Sequence, residues 1–452
     1  MSSESTQPDP TREAALVELP EPAFGNYFVS AYPPFFCWSS GQVTGLADLL
    51  ARPPASVPAS PLGLYVHVPF CVQRCQYCYY LSYDDRGEAR KDYLEALGTE
   101  LELYARRPLL AGRALDFVYF GGGTPSILSV PEIERLFARL QRCISWSGAR
   151  EVTFECAPRS VTEAKARALK AAGVNRVSLG VQQLDDAVLA RNGRLHGVAD
   201  VERAYDVLRR AGFDALNVDL MVGLPGESEG SFRRSLERVI ELAPEQVTLY
   251  LLEIPHNTPL YRRLRDEPGR DEPASWPEKR ARLARGFERL AAAGYTPRSA
   301  YTAVRGEEHR AFVYQDEQYR GADLLGIGAS SFSYLAGTHF QNHARLETYL
   351  EPLTNGILPV ARAHALSARE RLVRELVLQL KLLRVPLAPL EEKFGLPVLE
   401  TFAEPLRHLV ATGWLEITDD AITLTAQGIP RVDRLLLELY LPEHRDLPLL
   451  PG

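Results

Sequence analysis

Six short runs rich in β-branched and aromatic residues punctuate this chain: LYVHV (64–68), FVYF (117–120), VTF (152–154), RVSLGV (176–181), NVDLMV (217–222) and VTLYLLE (247–253). Between them lie stretches of helical periodicity. In 198–211, Val201, Tyr205 and Leu208 fall on one helix face. Strands that alternate with helices can pair only in parallel, because each helix carries the chain back to the edge where the strand began. The pattern predicts an α/β fold, a full or partial (β/α) barrel over residues 62–364. In such a barrel the C-terminal ends of the strands, with their following loops, carry the site.

Outside that region the pattern changes. Residues 1–20 are rich in Ser, Glu and Pro and read as a disordered tail. Residues 21–61 form an N-terminal arm: NYFVSAYPPFFCW (26–38) is dense in aromatics and should pack on something, and RPPASVPASP (52–61) reads as an extended linker. From 365 to 452 the chain turns helical, around 366–380 and 399–413. WLEIT and AITLT, separated by Asp419 and Asp420, then read as a hairpin. Helices followed by a small hairpin predict a winged-helix-like α+β domain. It has no basic recognition helix, so a packing or lid role is expected of it.

Bulk properties narrow the function classes. The formal net charge of −7, without a basic tract, speaks against broad nucleic-acid binding. The first thirty residues lack a signal-peptide pattern, and no apolar stretch is long enough to cross a bilayer, so a cytoplasmic protein without membrane partners is expected. Of six cysteines, three crowd into residues 71–78. In a reducing compartment such crowding favours metal binding over disulfides.

Cys71, Cys75 and Cys78 have the spacing Cys-x3-Cys-x2-Cys directly after the first strand. Iron–sulfur cubanes normally take four thiolates, so three leave one iron open to another ligand. A zinc site is the alternative. It would need a fourth ligand, which only the nearby His67 offers, and the barrel pattern has no place in a zinc ribbon. Downstream, GGGTPS (121–126) follows the second strand, and glycines there let backbone approach a neighbour closely. Glu155 ends the third strand. Asp219 lies inside the apolar fifth, where a carboxylate needs either a ligand or a structural ion pair. Arg194 could hold a carboxylate in bidentate fashion or be a solvated helix-end arginine. Cys143 and Cys156 read as small apolar fillers, and Cys37 as a packed thiol of the arm.

With the triad after the first strand, the chain resembles the radical S-adenosylmethionine (SAM) superfamily. The surrounding motifs are similar to its oxygen-independent coproporphyrinogen III oxidase (HemN-like) branch, from about Tyr27 into the C-terminal domain. The resemblance implies a barrel of the radical SAM type and a [4Fe-4S] cluster on Cys71, Cys75 and Cys78. The open iron would chelate the amino and carboxylate groups of SAM, and the reduced cluster would cleave SAM to methionine and a 5′-deoxyadenosyl radical. By the same resemblance Tyr65, Gly122 and Glu155 bind this first SAM, Tyr65 being alternatively just an aromatic strand residue. A possible second SAM falls to Gly123, Thr124, Gln182, Arg194 and Asp219, and Tyr77 is a further cofactor-binding residue. GLPGES (223–228) also fits the family as the turn closing the fifth strand.

Two departures bear on the reaction. Coproporphyrinogen oxidases carry a further cysteine two residues after the triad, where this chain has Tyr80. Heme-chaperone relatives carry His-Asn-x-x-Tyr-Trp in the later barrel, which the stretch 309–323 lacks. These departures point to the relatives that use two SAM molecules for C-methylation or cyclopropanation of an unsaturated small molecule, to which SAYTAVR (299–305) and LGIGASSFSY (325–334) look closer. Porphyrinogen decarboxylation, or a non-catalytic heme-binding role, is the alternative. Tyr301, Tyr314 and Tyr319 are candidates for a proton or electron relay, with aromatic packing the plainer account. A reductant such as flavodoxin or ferredoxin is the expected partner.

Overall fold

The structure is a computed structural model and describes residues 28–54, 59–84, 87–269, 271–306 and 312–445. The tail expected over 1–20, the start of the aromatic arm, residues 55–58 of the linker, residues 309–311 and residues 446–452 lie outside the described residues.

Twelve strands form one sheet. In chain order they are β1 (Leu62–Val68), β2 (Phe117–Gly122), β3 (Glu151–Cys156), β4 (Arg176–Gln182), β5 (Ala215–Val222), β6 (Gln246–Leu251), β7 (Thr296–Pro297), β8 (Thr302–Val304), β9 (Asp323–Ile327), β10 (Phe332–Leu335), β11 (Thr338–Asn342) and β12 (Val360–Ala365). Side by side their order is β12-β11-β10-β9-β1-β2-β3-β4-β5-β6-β8-β7. β9 and β1 through β6 run parallel, and the rest pair antiparallel. β12 and β7 end the sheet without meeting, so the barrel is partial.

The six expected strands are β1 to β6. Helices such as Val130–Cys143 and Val198–Ala211 return the chain after each strand, so all six strands end at one edge of the sheet. Helix Val198–Ala211 buries Val201, Tyr205 and Leu208, the face its periodicity predicts, and Gly212 ends it in the left-handed conformation (φ 72°). Phe120 on β2 stacks on Phe137 of helix Val130–Cys143, with centroids 4.5 Å apart, and Ser129 and Glu132 cap that helix. β7 to β12 carry no comparable signature: two are very short, and THFQN and VARAHA are largely polar or small. Among the described residues no helix is long and apolar enough to cross a membrane.

Beyond β12 come helix Ala368–Leu380, further helices including Leu387–Phe394 and Ala403–Ala411, and a small antiparallel sheet. In that sheet Ala421–Leu424 lies between Arg384–Pro386 and Leu415–Ile417. WLEIT and AITLT thus form the expected hairpin. The third strand, RVP, is too short to show in the sequence.

These C-terminal elements bury a core of their own, which the arm and the barrel edge join. Leu372 and Leu376 share one cluster with Val29 and Tyr32 of the arm and with Tyr301 and Tyr319 of the barrel. A polar knot sits inside it. The Lys381 ammonium is fully buried and meets Asp433 Oδ1 at 2.9 Å. It also donates to the Val29 carbonyl at 2.7 Å and lies over the Phe28 ring at 3.8 Å. Asp433 Oδ1 also accepts from the Val29 amide at 2.9 Å, and its Oδ2 accepts from the Tyr301 hydroxyl at 2.6 Å. One carboxylate therefore ties arm, barrel and C-terminal segment together. Removing one member of a buried pair strands the other's charge, at about 3–5 kcal/mol. Asp433→Ala should lower the urea midpoint accordingly, and Lys381→Met in the same chain should recover much of the loss. A loss below about 1 kcal/mol would show the pair behaving like an exposed one.

Candidate active site

A cavity of about 630 Å³ opens at the C-terminal ends of β2 to β6. Cys71, Cys75 and Cys78 all line it, on the loop that leaves β1. This loop is held from several sides. Cys78 N donates to Cys75 O at 3.3 Å, and the Arg74 guanidinium grips Cys78 O at 2.8 and 3.2 Å. Gln76 bonds through its amide to Asn192 O at 3.2 Å and through its carbonyl to Leu260 N at 2.7 Å. The sulfurs themselves receive donors, Thr124 Oγ1 on Cys71 Sγ at 3.4 Å and Arg194 Nη1 on Cys75 Sγ at 3.2 Å.

This donor set fits an iron–sulfur cluster. Burial, and then the neighbouring Cys75, push the Cys78 thiol up to about 11, and burial also raises Cys71. Three thiolates this close need a positive group among them. Three thiolates without a fourth protein ligand suit a cubane, whose irons each take a different thiolate and leave one open, better than one zinc ion. His67 is not a fourth ligand: it is buried behind the glycine turn, outside the cavity lining, with Nδ1 3.1 Å from the Tyr65 hydroxyl.

The glycine turn explains how loop and sheet meet. A Cβ on Gly122 would stand 2.6 Å from the His67 ring, and Gly122 has φ +113°. A Cβ on Gly123 would stand 2.8–2.9 Å from backbone atoms of Phe70 and Val68, and one on Gly121 would meet Tyr119 and Glu155 at 2.8 and 2.9 Å. The amides of Gly123 and Thr124 bond to Val68 O and Phe70 O, both at 2.9 Å. The close approach is thus first of all between β2 and the end of β1. Glu155 fastens the other side, accepting from Gly122 N at 3.2 Å and from the Tyr119 hydroxyl at 2.7 Å.

Gly122, Gly123, Thr124, Glu155, Gln182, Arg194, Asp219 and Tyr77 line the same cavity as the thiols. Gln182 sits at a register shift between β4 and β5 with φ 68°, a left-handed backbone that turns the strand end toward the opening. Arg194 is not a solvated helix end. It lies in the loop after helix Asp186–Arg191, with Nη2 on Gly180 O at 2.7 Å and Nη1 on Cys75. Asp219 forms no ion pair among the described residues; Ser178 and Asn217 donate to it at 2.9 and 2.7 Å. A half-buried carboxylate held by neutral donors keeps acceptor capacity for a cationic or hydroxylic ligand. Tyr65 does not line the cavity; its ring stacks on Tyr119 at 6.0 Å, one layer behind. Cys156, expected as a filler, is buried but also lines the cavity, whereas Cys143 lies outside the lining and donates to Arg139 O at 3.3 Å.

Other lining residues escape sequence reasoning. Tyr250, Trp276 and Arg280, and the C-terminal turn with Arg431 and Asp433 complete the wall. No local spacing marks them, because only folding brings residues near 430 to a loop near 75. Of the three candidate relay tyrosines, Tyr301 reaches the cavity, whereas Tyr314 and Tyr319 are outside its lining.

The electrostatics give a pH test. Burial, opposed by the Tyr119 hydrogen bond and reinforced by the Asp219 charge, raises the Glu155 carboxyl from its ordinary 4.5 to about 7. Between those values the folded ligand-free protein holds a proton that the unfolded chain has released. Stability should therefore fall as pH rises from about 5 to about 7. Glu155→Gln should flatten that part of the profile in chemical denaturation; an unchanged slope would show that Glu155 ionises normally.

Comparison with known proteins agrees with this geometry. The radical SAM superfamily model matches residues 65–239, and the HemN C-terminal domain model matches residues 366–431. The chain is 32% identical over 386 residues to the heme chaperone HemW of Mycobacterium tuberculosis (strain H37Rv), covering 83% of this chain and 93% of that one. It is 30% identical over 391 residues to the oxygen-independent coproporphyrinogen III oxidase of Escherichia coli (strain K12), covering 83% and 84%. The solved structure of coproporphyrinogen III oxidase (HemN) from Escherichia coli superposes with a TM-score of 0.79 at 27% identity, covering 91% of this chain and 96% of that one. The superfamily uses a [4Fe-4S] cluster and SAM, and the thiol loop, glycine turn and half-buried carboxylates described above suit both. This chain belongs to the radical SAM superfamily, as an enzyme of the HemN/HemW type.

Proposed function

We propose that this enzyme carries out hydrogen abstraction on a carboxylate-bearing small molecule, namely the oxidative decarboxylation of coproporphyrinogen III, the compound in the name of its oxidase relatives. The observation that carries this reading is a single cavity whose lining runs from the three thiols to Arg280, Arg431 and Arg434. Three thiols and several arginines in one space, with Glu253 and Asp433 also in the lining, suit a carboxylate-bearing substrate beside a radical source. When bound, the cluster and SAM supply a one-electron cleavage to methionine and a 5′-deoxyadenosyl radical.

The protein's own part is to hold and orient. Cys71, Cys75 and Cys78 would ligate three irons. Gly122 and Glu155 would border the SAM nearest the cluster. Gln182, Arg194 and Asp219, with Tyr77, Gly123 and Thr124, would border a second polar ligand, and Tyr65 would act only by packing behind Tyr119. Electrons would come from a low-potential donor of the flavodoxin or ferredoxin kind.

Methyl transfer or cyclopropanation with a second SAM stands as the other reading. It rests on Tyr80, which occupies the place of the oxidases' further cysteine and lines the cavity. The relatives described above are an oxidase and a heme chaperone, so this reading ranks second.

Anaerobic reconstitution should give about four irons per chain. The triple replacement of Cys71, Cys75 and Cys78 by Ala should abolish iron binding, while Cys143→Ala should leave it intact. Stable zinc without charge-transfer absorption would refute the cluster. With dithionite, SAM and coproporphyrinogen III, the reconstituted enzyme should release carbon dioxide together with 5′-deoxyadenosine. If methyl-deuterated SAM instead yields deuterated 5′-deoxyadenosine and no carbon dioxide is released, methyl transfer takes its place.

A further inference from the structure

Tyr80 lines the cavity with 50% of its surface exposed, beside the exposed aliphatic side chains of Val72 and Leu195. A ring of this size is normally covered, because its faces bring the largest apolar area to a contact. One face of Tyr80 is in fact covered. It stacks on Tyr79 with centroids 4.7 Å apart and planes 26° apart, which fixes the ring's orientation. The remaining surface opens on the cavity, whose lining also holds Glu155, Asp219 and Tyr250. A second pair of near-parallel rings, Tyr250 and Tyr301 (25°, 6.4 Å), lines the same space. Tyr80 is also only two residues beyond Cys78, so whatever rests on it lies beside the cofactor end.

We propose that Tyr80 is a stacking platform that selects a flat, unsaturated ring system as substrate and sets it beside the cofactors. This rests on the reading of the cavity as a substrate site, but not on the substrate being a porphyrinogen. A rigid aromatic face backed by a second ring loses little freedom on binding, so contact area is converted into affinity without reordering the wall. It discriminates against puckered, saturated rings, which cannot lie against a plane.

The test uses two probes of equal charge and similar size on the SAM-bound, cluster-loaded enzyme: naphthalene-2-carboxylate, which is flat, and decahydronaphthalene-2-carboxylate, which is not. Calorimetry should show the flat probe binding about tenfold tighter. Tyr80→Phe should keep that preference, and Tyr80→Leu should erase it, with iron content unchanged in both variants. Equal binding of the two probes by the wild-type enzyme, binding of neither, or a preference that survives Tyr80→Leu would overturn the platform. The decarboxylase reading fails separately: an enzyme that shows the Tyr80-dependent preference yet releases no carbon dioxide from coproporphyrinogen III keeps the platform and loses that substrate.

Discussion

The close approach of the Gly121–Gly123 turn to the end of β1 is the constraint on which the rest of the site depends. Side chains at these positions would collide with the His67 ring, with Phe70 and Val68 backbone, or with Glu155 and Tyr119. Because they are absent, two adjacent strand ends interlock through the amides of Gly123 and Thr124. Thr124 then reaches the Cys71 sulfur, and Glu155 reaches across from β3 to the Gly122 amide. Three neighbouring strands and the thiol loop are thus held to one geometry by backbone, which is stiffer than any arrangement of long side chains could be. A cluster whose ligands must stand at fixed separations needs that stiffness.

The same packing makes the cavity electrostatically expectant. Glu155 and Asp219 are both half-buried, both raised, and both held by neutral donors rather than by arginine. Arg176, the nearest buried cation, is engaged with Gln246 and the Phe312 ring instead. Burial without a counter-ion costs stability in the ligand-free protein, and the cost is offset only when a cationic or hydroxyl-bearing ligand arrives. SAM carries a sulfonium, an ammonium and ribose hydroxyls, so these carboxylates suit it as acceptors. On the thiol side the sense is reversed: Arg194 and Thr124 donate toward sulfur, as a site built for thiolates requires.

How much of this could be read from sequence follows from the range of each interaction. β1 to β6 and the helix over 198–211 rest on local periodicity, and their segments were legible. The thiol loop and the glycine turn were legible because each packs its determinants into a few consecutive residues. The partners of Arg194 within the chain, a sulfur 119 positions away and the Gly180 carbonyl, leave no mark in the local sequence. Tyr65 stands one layer behind the site because strand alternation places it against Tyr119, a pairing across strands that spacing along the chain does not reveal. The wall from Trp276 to Asp433 was invisible for the same reason: its members are distant in sequence and chemically ordinary. The polar strands β11 and β12 pair at the far side of the sheet, where register rather than apolar pattern decides the fold.

That contrast separates what is held in common from what can diverge. The cofactor end is built from backbone and from consecutive residues, where one altered side chain disturbs several strands at once. The far wall is assembled from the arm, the barrel edge and the C-terminal turn, joined through Asp433 to Lys381, Tyr301 and Val29. Side chains on that wall project from a framework anchored elsewhere, so they can change without moving the thiols or the glycine turn. Tyr80 stands at the junction, on the thiol loop but turned into the space that the far wall encloses. A change at this position alters what may lie against the radical source while leaving its ligands untouched. One framework can therefore serve oxidases, chaperones and other chemistries, and the identity of the reaction is written where the two ends meet.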